Sequence, residues 1–304
     1  AVMDGRVPRD GITTEPTHPG LPDYPNNICR VAEDGGYELY TYEPVTDLCR
    51  RSFGMGSRVT EAIRRGAGAT GEFSSVKVVP GNLGAKVANK LASPFERPYG
   101  ELDASRADAV DAFIEGLPAG KRTFSLLHIA LPHIYWEFMP DGSHYESNRF
   151  TGVESLTSPV SKAQIDSDFQ QYMLQLQFTD HELGRLIRRM KDQGTWDESL
   201  FVVTADHGAG FIPGGSRRIL EDANAGWVLP VPLFIKYPGQ DTGKVVPGGA
   251  NSIDVAPTIS DVLGVDAPAD SEGVSLLGKS RLPLSREITA HGAFSTVRMK
   301  RSMV

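Results

Sequence analysis

The sequence predicts an α/β protein with three layers, α/β/α, in which helices cover both faces of a mostly parallel central sheet. Short apolar runs rich in β-branched residues alternate along the chain with longer segments whose apolar residues recur at helical spacing. Continuous apolar runs are typical of strands that are buried on both faces. Repeated alternation of strand and helix favours a parallel sheet covered by helices. We expect residues 1–304 to form a single domain.

The first half of the chain contains six predicted elements. A helix at 105–117 is expected because Val110, Phe113 and Ile114 recur on one face. The run at 123–130 follows a Pro-Ala-Gly break and is almost continuously apolar, as in a buried strand. Shorter helices are predicted at 26–33 and 59–65, and further strands at 37–42 and 76–79.

The second half of the chain contains the longest predicted helix, at 162–191. Its apolar residues keep helical spacing, and Gly194 is a typical stop signal. Ser252-Ile253-Asp254 is a typical helix start, and Gly264 ends that helix. Strands are predicted at 200–205, 231–237 and 288–290.

The composition excludes several functional classes. The net charge is −7 and no dense block of Lys and Arg occurs, so we do not expect a nucleic-acid partner. No run of 18 apolar residues occurs, so no membrane span is expected within the chain. Cys29 and Cys49 are neither a disulfide framework nor a CxxC metal motif. They are expected either to bridge each other in an oxidising compartment or to be two buried thiols.

The segment with the clearest chemistry is 200–208, Leu-Phe-Val-Val-Thr-Ala-Asp-His-Gly. It is predicted to be a buried parallel strand that ends in Asp206 and His207. Ligands bind at the carboxyl ends of strands in open α/β sheets, and carboxylate and imidazole both bind divalent cations. The segment alone leaves a second interpretation open, in which Asp206 caps a helix and His207 is a surface residue.

Two further segments could complete a site. Leu131-Pro132-His133 follows the strand at 123–130, so His133 could join Asp206 and His207 as a ligand, an anion binder or a general acid. The glycine-rich loop at 208–216 leads to Arg217 and Arg218, and an arginine can give two donors to sulfate or phosphate. A surface loop with incidental arginines is the alternative for this segment.

Taken in order, these segments resemble the sulfatase family of the alkaline-phosphatase superfamily. The resemblance is strongest to the membrane-anchored sulfatase-like proteins of bacteria, which share a Leu-Pro-His-x-x-Trp turn and a Pro-Gly-x-x-Arg-Arg loop. Each motif alone is modest, but six in the same order within about 120–280 are specific. The matching segments are 131–133, 178–184, 203–208, 231–236, 254–258 and 273–276.

The resemblance implies an alkaline-phosphatase/sulfatase-like fold and a metal-dependent hydrolase of sulfate or phosphate esters. It assigns Asp206 and His207 to a divalent metal ion (Ca, Mn, Mg or Zn), His133 to the substrate, and Arg217 or Arg218 to the anion. In such enzymes the metal polarises the ester and helps to activate a nucleophile. Asp254 is expected to cap its helix.

The resemblance also implies partners and a location. The substrate is expected to be an anionic ester on a sulfated or phosphorylated glycan or lipid, at the extracytoplasmic face of the cell membrane. Membrane contact is expected only through segments outside this chain. The alternatives are a phosphoglycerol- or phosphoethanolamine-type transferase acting on envelope lipids or glycans, and a non-catalytic sulfatase-like binding module.

The nucleophile of the family has no match in this sequence. Relatives carry Cys or Ser in a Cys/Ser-x-Pro-x-Arg motif, or Thr or Ser, near the amino end, and neither Cys29 nor Cys49 lies in that motif. Residues 1–6 resemble the segment that follows the nucleophile. We therefore expect the chain to begin just after it, as a fragment of a longer enzyme or as a degenerate module. In either case we expect no ester hydrolysis by the chain alone and weak metal binding.

Overall fold

The computed structural model describes residues 27–43, 49, 105–120, 122–145, 161–218, 220–279, 282, 285–291 and 296–302. The helix predicted at 59–65 and the strand predicted at 76–79 lie outside the described residues. The described helices are α1 (Ile28–Asp34), α2 (Ser105–Glu115), α3 (Lys162–Asp192), α4 (Ala225–Val228) and α5 (Val255–Leu263). The described strands are β1 (Glu38–Tyr42), β2 (Thr123–Leu127), β3 (Phe201–Thr204), β4 (Leu233–Lys236), β5 (Ser285–His291) and β6 (Thr296–Ser302).

Strands β1 and β2 show the three-layer arrangement. They pair in parallel, with Glu38 opposite Thr123 and Tyr42 opposite Leu127. Successive side chains of a strand point to opposite faces. Leu39 packs with Ala32 of α1, while its neighbour Tyr40 packs with apolar residues of α2 and α3. Helices therefore cover both faces of this pair, as the predicted α/β/α fold requires.

Strands β3 and β4 pair antiparallel, with Phe201 opposite Lys236 and Thr204 opposite Leu233. The prediction that β3 is a buried parallel strand is therefore wrong for this pairing, and its four residues are only partly buried. Beside the end of β3 the amide of Gly208 donates to the carbonyl of Val228 (2.8 Å), so the chain before β4 lies against the residues that follow β3. It then returns along β3 rather than crossing over the sheet through a long helix.

Cys29 and Cys49 form a disulfide, with their Cα atoms 5.5 Å apart. Both residues are buried and pack with Ala32 and Leu39. Helix α1 begins beside the bridge, where the side chain of Asn27 accepts hydrogen bonds from the amides of Cys29 and Arg30. Of the two alternatives for these cysteines, the structure contains the bridge.

Asp254 caps the start of its helix, as the sequence predicted, and it also binds a distant segment. It is the last residue of a short 3-10 helix, Ser252–Asp254, that leads directly into α5, and it forms a capping box with Asn251. Its carboxylate accepts hydrogen bonds from the amides of Asn251 (2.8 Å) and Val274 (2.9 Å). The segment after α5 comes this close because Gly273 has no Cβ, which would lie 2.0 Å from the carbonyl oxygen of Ile253. Asp254 therefore fastens residues 273–276 to the start of α5.

No helix among the described ranges is both long enough and apolar enough to cross a membrane.

Candidate functional site

The Pro-His turn follows β2 and is held from α2 by a buried arginine. Arg106 is 4% exposed, and its Nη1 donates to the carbonyls of Ala130 (2.8 Å) and His133 (3.1 Å). Its Nη2 donates to the carbonyl of Tyr135 (2.8 Å). Within this turn the Leu131–Pro132 and Ile134–Tyr135 peptide bonds are cis. Three charge-assisted hydrogen bonds thus fix the backbone on both sides of His133.

A second buried side chain holds the same turn from α3. Gln175 is fully buried, and its Nε2 donates to the carbonyl of His133 (2.6 Å) while its Oε1 accepts from the amide of Glu137 (2.9 Å). The indole of Trp136 donates to the carbonyl of Pro132 (3.1 Å). His133 therefore projects from a backbone segment that two helices fix.

The sequence reasoning missed Arg106 and Gln175, although a signal for each exists. Arg106 lies four residues before Val110, on the apolar face of α2. Gln175 is the middle member of three polar residues of α3 that are buried and lie seven residues apart, Asp168, Gln175 and Glu182. Polar residues on a buried helix face have hydrogen-bond partners, so they mark contacts to other parts of the chain.

The imidazole of His133 is neutral near pH 7. Burial lowers its pKa to about 4, and the positive charge of Arg217 acts in the same direction, as do the weaker effects of Arg218 and Arg106. The Nδ1 atom lies 2.6 Å from the carbonyl oxygen of Ile134. Because a carbonyl only accepts, Nδ1 carries the proton and Nε2 carries the lone pair. Arg217 therefore lies close enough to His133 for its charge to act on the imidazole.

Arg217 and Arg218 differ in their burial. Arg217 is 8% exposed, whereas Arg218 is exposed. The loop closes tightly around this point, because the amide of Gly210 donates to the carbonyl of Arg217 (2.7 Å). The buried side chain of Asn224 also donates to the carbonyl of Ser216 (2.8 Å). Arg217 is thus the buried arginine of this loop, and Arg218 is the exposed one.

Asp206 and His207 lie just after β3. The carboxylate Oδ1 of Asp206 accepts from the amide of His207 (2.9 Å), and Nδ1 of His207 donates to the carbonyl of Gly208 (2.7 Å). No helix begins at Asp206, so the interpretation of this residue as a helix cap is wrong. Its side chain is 77% exposed, and its Oδ2 lies 3.6 Å from Nε2 of His207.

The pair of Asp206 and His207 fits part of a divalent-metal site. Two ligands of a tetrahedral zinc ion lie about 3.4 Å apart, given bonds of about 2.0–2.2 Å. The 3.6 Å between Oδ2 of Asp206 and Nε2 of His207 is close to that separation. Nδ1 of His207 also donates a hydrogen bond to a carbonyl. Metal-binding histidines usually donate such a hydrogen bond through the ring nitrogen that does not bind the metal. Across the described ranges, no group of three or more His, Cys, Asp or Glu could hold a metal ion.

An apolar cluster joins the Pro-His turn to the glycine-rich loop. Ile134 and Trp136 of the turn pack with Phe211 of the loop and Ile165 of α3. The rings of Trp136 and Phe211 have centroids 5.7 Å apart. The ends of two separate strand segments, one with His133 and one with Asp206 and His207, are thus held on one side of α3.

A family model described as Sulfatase matches residues 1–265, which is most of the chain. This chain belongs to the sulfatase family. The match includes His133, Asp206, His207, Arg217 and Arg218, and it confirms the resemblance to this family; five of the six motif segments lie within it, and 273–276 lies beyond it.

Two curated relatives match less than half of this sulfatase-family chain. The multifunctional alkaline phosphatase superfamily protein PehA of Trinickia caryophylli is 32% identical over 133 residues, which are 42% of this chain and 25% of PehA. An N-acetylglucosamine-6-O-sulfatase of Bacteroides thetaiotaomicron is 32% identical over 128 residues, which are 38% of this chain and 21% of that protein. The matched part of the chain thus spans a quarter or less of each relative.

The fold is shared with a solved structure, the phosphonate monoester hydrolase SpPMH from Silicibacter pomeroyi. The two align with a TM-score of 0.51 and 23% sequence identity, over 82% of this chain and 60% of SpPMH. At this identity the likeness shows the fold alone. It confirms the predicted α/β fold of the alkaline-phosphatase/sulfatase type.

Proposed function

We propose that this chain carries the anion-binding part and two metal ligands of the active site of a hydrolase that cleaves sulfate esters of a glycan. The observation that carries the proposal is that Arg217 is buried on a loop whose Phe211 packs against the Pro-His turn of His133. Family membership and the printed name of the N-acetylglucosamine-6-O-sulfatase support a sulfated sugar as the substrate.

Arg217 is proposed to bind the sulfate group of the substrate. Its planar guanidinium can donate two parallel hydrogen bonds to two oxygens of a tetrahedral anion. Burial strengthens these bonds, because water competes less and the local dielectric constant is low. Arg218 is exposed, so we propose that it adds only long-range attraction.

His133 is proposed to respond to the bound anion by taking up a proton. In the free chain its Nε2 carries a lone pair and can only accept hydrogen bonds. A sulfate beside it favours the imidazolium form and raises its pKa. Nε2–H can then donate to a sulfate oxygen or to the oxygen of the leaving group. The turn that Arg106 and Gln175 hold sets the position of this donor.

Asp206 and His207 are proposed to hold a divalent cation through Oδ2 and Nε2. When bound, such an ion supplies positive charge that polarises the ester and lowers the pKa of a bound nucleophile. The exposure of Asp206 leaves its carboxylate accessible to an ion from solvent. Two donors are fewer than the four or more ligands of a tight site, so we propose that these two residues alone bind metal weakly.

The cysteines are proposed to take no part in catalysis. Both are bonded in the disulfide, so neither has the thiol that formylglycine formation needs. No Cys/Ser-x-Pro-x-Arg motif occurs in the 304 residues. We therefore propose that this chain by itself does not turn over sulfate esters. The disulfide also supports a location in an oxidising, extracytoplasmic compartment.

The proposal is tested by calorimetric titration of the chain with inorganic sulfate, and with phosphate in a parallel series. We expect Arg217→Gln to weaken sulfate binding at least about tenfold, which corresponds to about 1.4 kcal/mol. Arg218→Gln is the matched control and should change it less than about threefold. Equal effects of the two substitutions would contradict the proposed site. Tighter binding of phosphate than of sulfate would instead assign the site to phosphate esters.

A further inference from the structure

A row of aromatic rings runs from the Pro-His turn to the surface beside the candidate site. Each ring lies within 6.3 Å, centroid to centroid, of at least one other ring in the row. Trp136 at one end is buried, whereas Trp227 is 45% exposed. The members are Trp136, Tyr172, Phe211, Phe169 and Trp227. One large apolar ring of this row is therefore presented to solvent.

Trp227 lies next to the candidate metal ligands. Its carbonyl oxygen would be only 2.0 Å from a Cβ added to Gly208, the residue that follows His207. The amide of Gly208 also donates to the carbonyl of Val228. Helix α4, which carries Trp227, is thus packed directly against the turn that begins with Asp206 and His207.

Neighbouring rings hold the indole of Trp227 in place, and there is open space beside it. Phe169 contacts it edge-on, with centroids 6.0 Å apart and planes at 88°, and Phe211 lies at 6.3 Å and 66°. These contacts restrict rotation of the ring. A Cβ added to the neighbouring Gly226 would meet no atom within 4 Å, so this side of α4 is open. An immobilised and accessible ring loses little entropy when a ligand stacks on it.

We propose that the indole of Trp227 is a stacking platform for the pyranose ring of the sugar that carries the ester. This inference rests on the proposed function, because it places the sugar beside the anion that Arg217 binds. The face of an indole is apolar and partly negative, which suits the polarised C–H groups on one face of a pyranose.

The surroundings of Trp227 favour a sugar over a lipid surface. Glu221 and Asp222 are exposed and shortly precede α4. Their carboxylates can accept hydrogen bonds from the hydroxyl groups of a sugar. Gly226, the residue before Trp227, has no side chain and adds no apolar surface. A single exposed ring that follows an acidic segment of the chain matches a sugar better than an acyl chain.

The test measures ligand binding to the whole chain by NMR and calorimetry. The probes are glucosamine 6-sulfate, unsulfated glucosamine, inorganic sulfate and octyl sulfate. The variants are Trp227→Ala, Trp227→Phe and, as a matched control, Trp196→Phe at the opposite end of β3. The chain has three tryptophans, so Trp227→Phe identifies the indole resonance of Trp227 by its loss.

We expect Trp227→Ala to weaken binding of glucosamine 6-sulfate about tenfold and to change binding of inorganic sulfate less than twofold. Trp227→Phe should retain most of the affinity, and Trp196→Phe all of it. Glucosamine without sulfate should still shift the indole resonance of Trp227 at millimolar concentration. That shift would support the stacking platform even if inorganic sulfate did not bind. A failure of inorganic sulfate to bind would refute only the anion site at Arg217.

Two results would overturn the inference. In one, glucosamine 6-sulfate binds with equal affinity to the chain with and without Trp227. In the other, only octyl sulfate depends on Trp227, so that the ring serves an alkyl chain instead of a sugar.

Discussion

The backbone carbonyl of His133 accepts a hydrogen bond of 2.6 Å from the buried side-chain amide of Gln175. The same carbonyl accepts a second hydrogen bond from Arg106. Two residues from different helices thus fix one peptide group of the Pro-His turn. The orientation of the His133 imidazole follows from this backbone, so the two helices act on the candidate site without contacting its ligand.

Replacing Gln175 should destabilise the protein and disturb His133. Gln175→Met removes a donor to His133 and an acceptor for the amide of Glu137, leaving that buried amide without its hydrogen bond. We expect the free energy of unfolding to fall by about 2 kcal/mol. Urea denaturation measures this change. Gln177→Met on the exposed face of the same helix is the control and should cost less than about 0.5 kcal/mol. Equal losses of unfolding free energy in the two variants would show that the hydrogen bonds of Gln175 do not stabilise the protein.

His133 should make the stability of the protein fall in mild acid. Its pKa is about 4 in the folded state and about 6.5 in the unfolded chain, so the unfolded state binds the proton first as the pH falls. Stability is therefore lost from about pH 6.5 down to about pH 4, by up to about 3 kcal/mol. Urea titrations at several pH values measure the slope. His133→Gln should remove this part of the decline; an unchanged slope in that variant would refute the assignment to His133.

Reduction should destabilise the part of the protein around β1. The bridge between Cys29 and Cys49 closes a loop with a sequence separation of 20. Closing a loop of this size contributes about 3 kcal/mol by restricting the unfolded chain. We expect a thiol reductant to lower the thermal midpoint of the wild type. The Cys29→Ala, Cys49→Ala double variant, which has no bridge to reduce, should be insensitive to the reductant. Equal sensitivity of both proteins would contradict a role for the disulfide.

Metal binding at Asp206 and His207 should be measurable but weak. Mn²⁺ is paramagnetic, so bound Mn²⁺ broadens the NMR resonances of nearby nuclei. We expect the ring protons of His207 to broaden at Mn²⁺ concentrations well above micromolar, and Asp206→Asn to reduce the effect strongly. Asp222→Asn, which removes an exposed carboxylate from the same region, is the control. Submicromolar affinity in calorimetry would show that further ligands complete the site.

The sequence predicted the elements near the site more reliably than their contacts. Helix α3 was predicted at 162–191 and extends from Lys162 to Asp192, because its apolar spacing is long and regular. The pairing of β3 was wrong, because strand direction depends on where the connection returns and not on the strand residues. Helix α4 and strand β6 were not predicted, whereas the helix start at Ser252–Asp254 was. The first has only four residues and too little periodicity for detection.

Residues of the candidate site that lie within a sequence motif could be proposed from the sequence. Residues that the fold brings to the site from distant parts of the chain could not. His133, Asp206 and His207 follow strands and were proposed from that position. The sequence could not show which of Arg217 and Arg218 is buried, because the two are adjacent residues of the same type. The structure was needed to distinguish them. Arg106 and Gln175 act from helices 27 and 42 residues away from His133. Only the packed structure connects them to it.

If His133 and Arg217 form one anion site, the pKa of His133 should respond to a bound anion. Its imidazole can be titrated by NMR with and without saturating inorganic sulfate. We expect a pKa near 4 in the free chain and a rise of at least about one unit when sulfate binds. In Arg217→Gln the free pKa should be higher, since a positive charge is lost, and the response to sulfate should disappear. A His133 pKa that neither sulfate nor the substitution changes, in a chain that remains folded, would show that the two residues do not form an anion site.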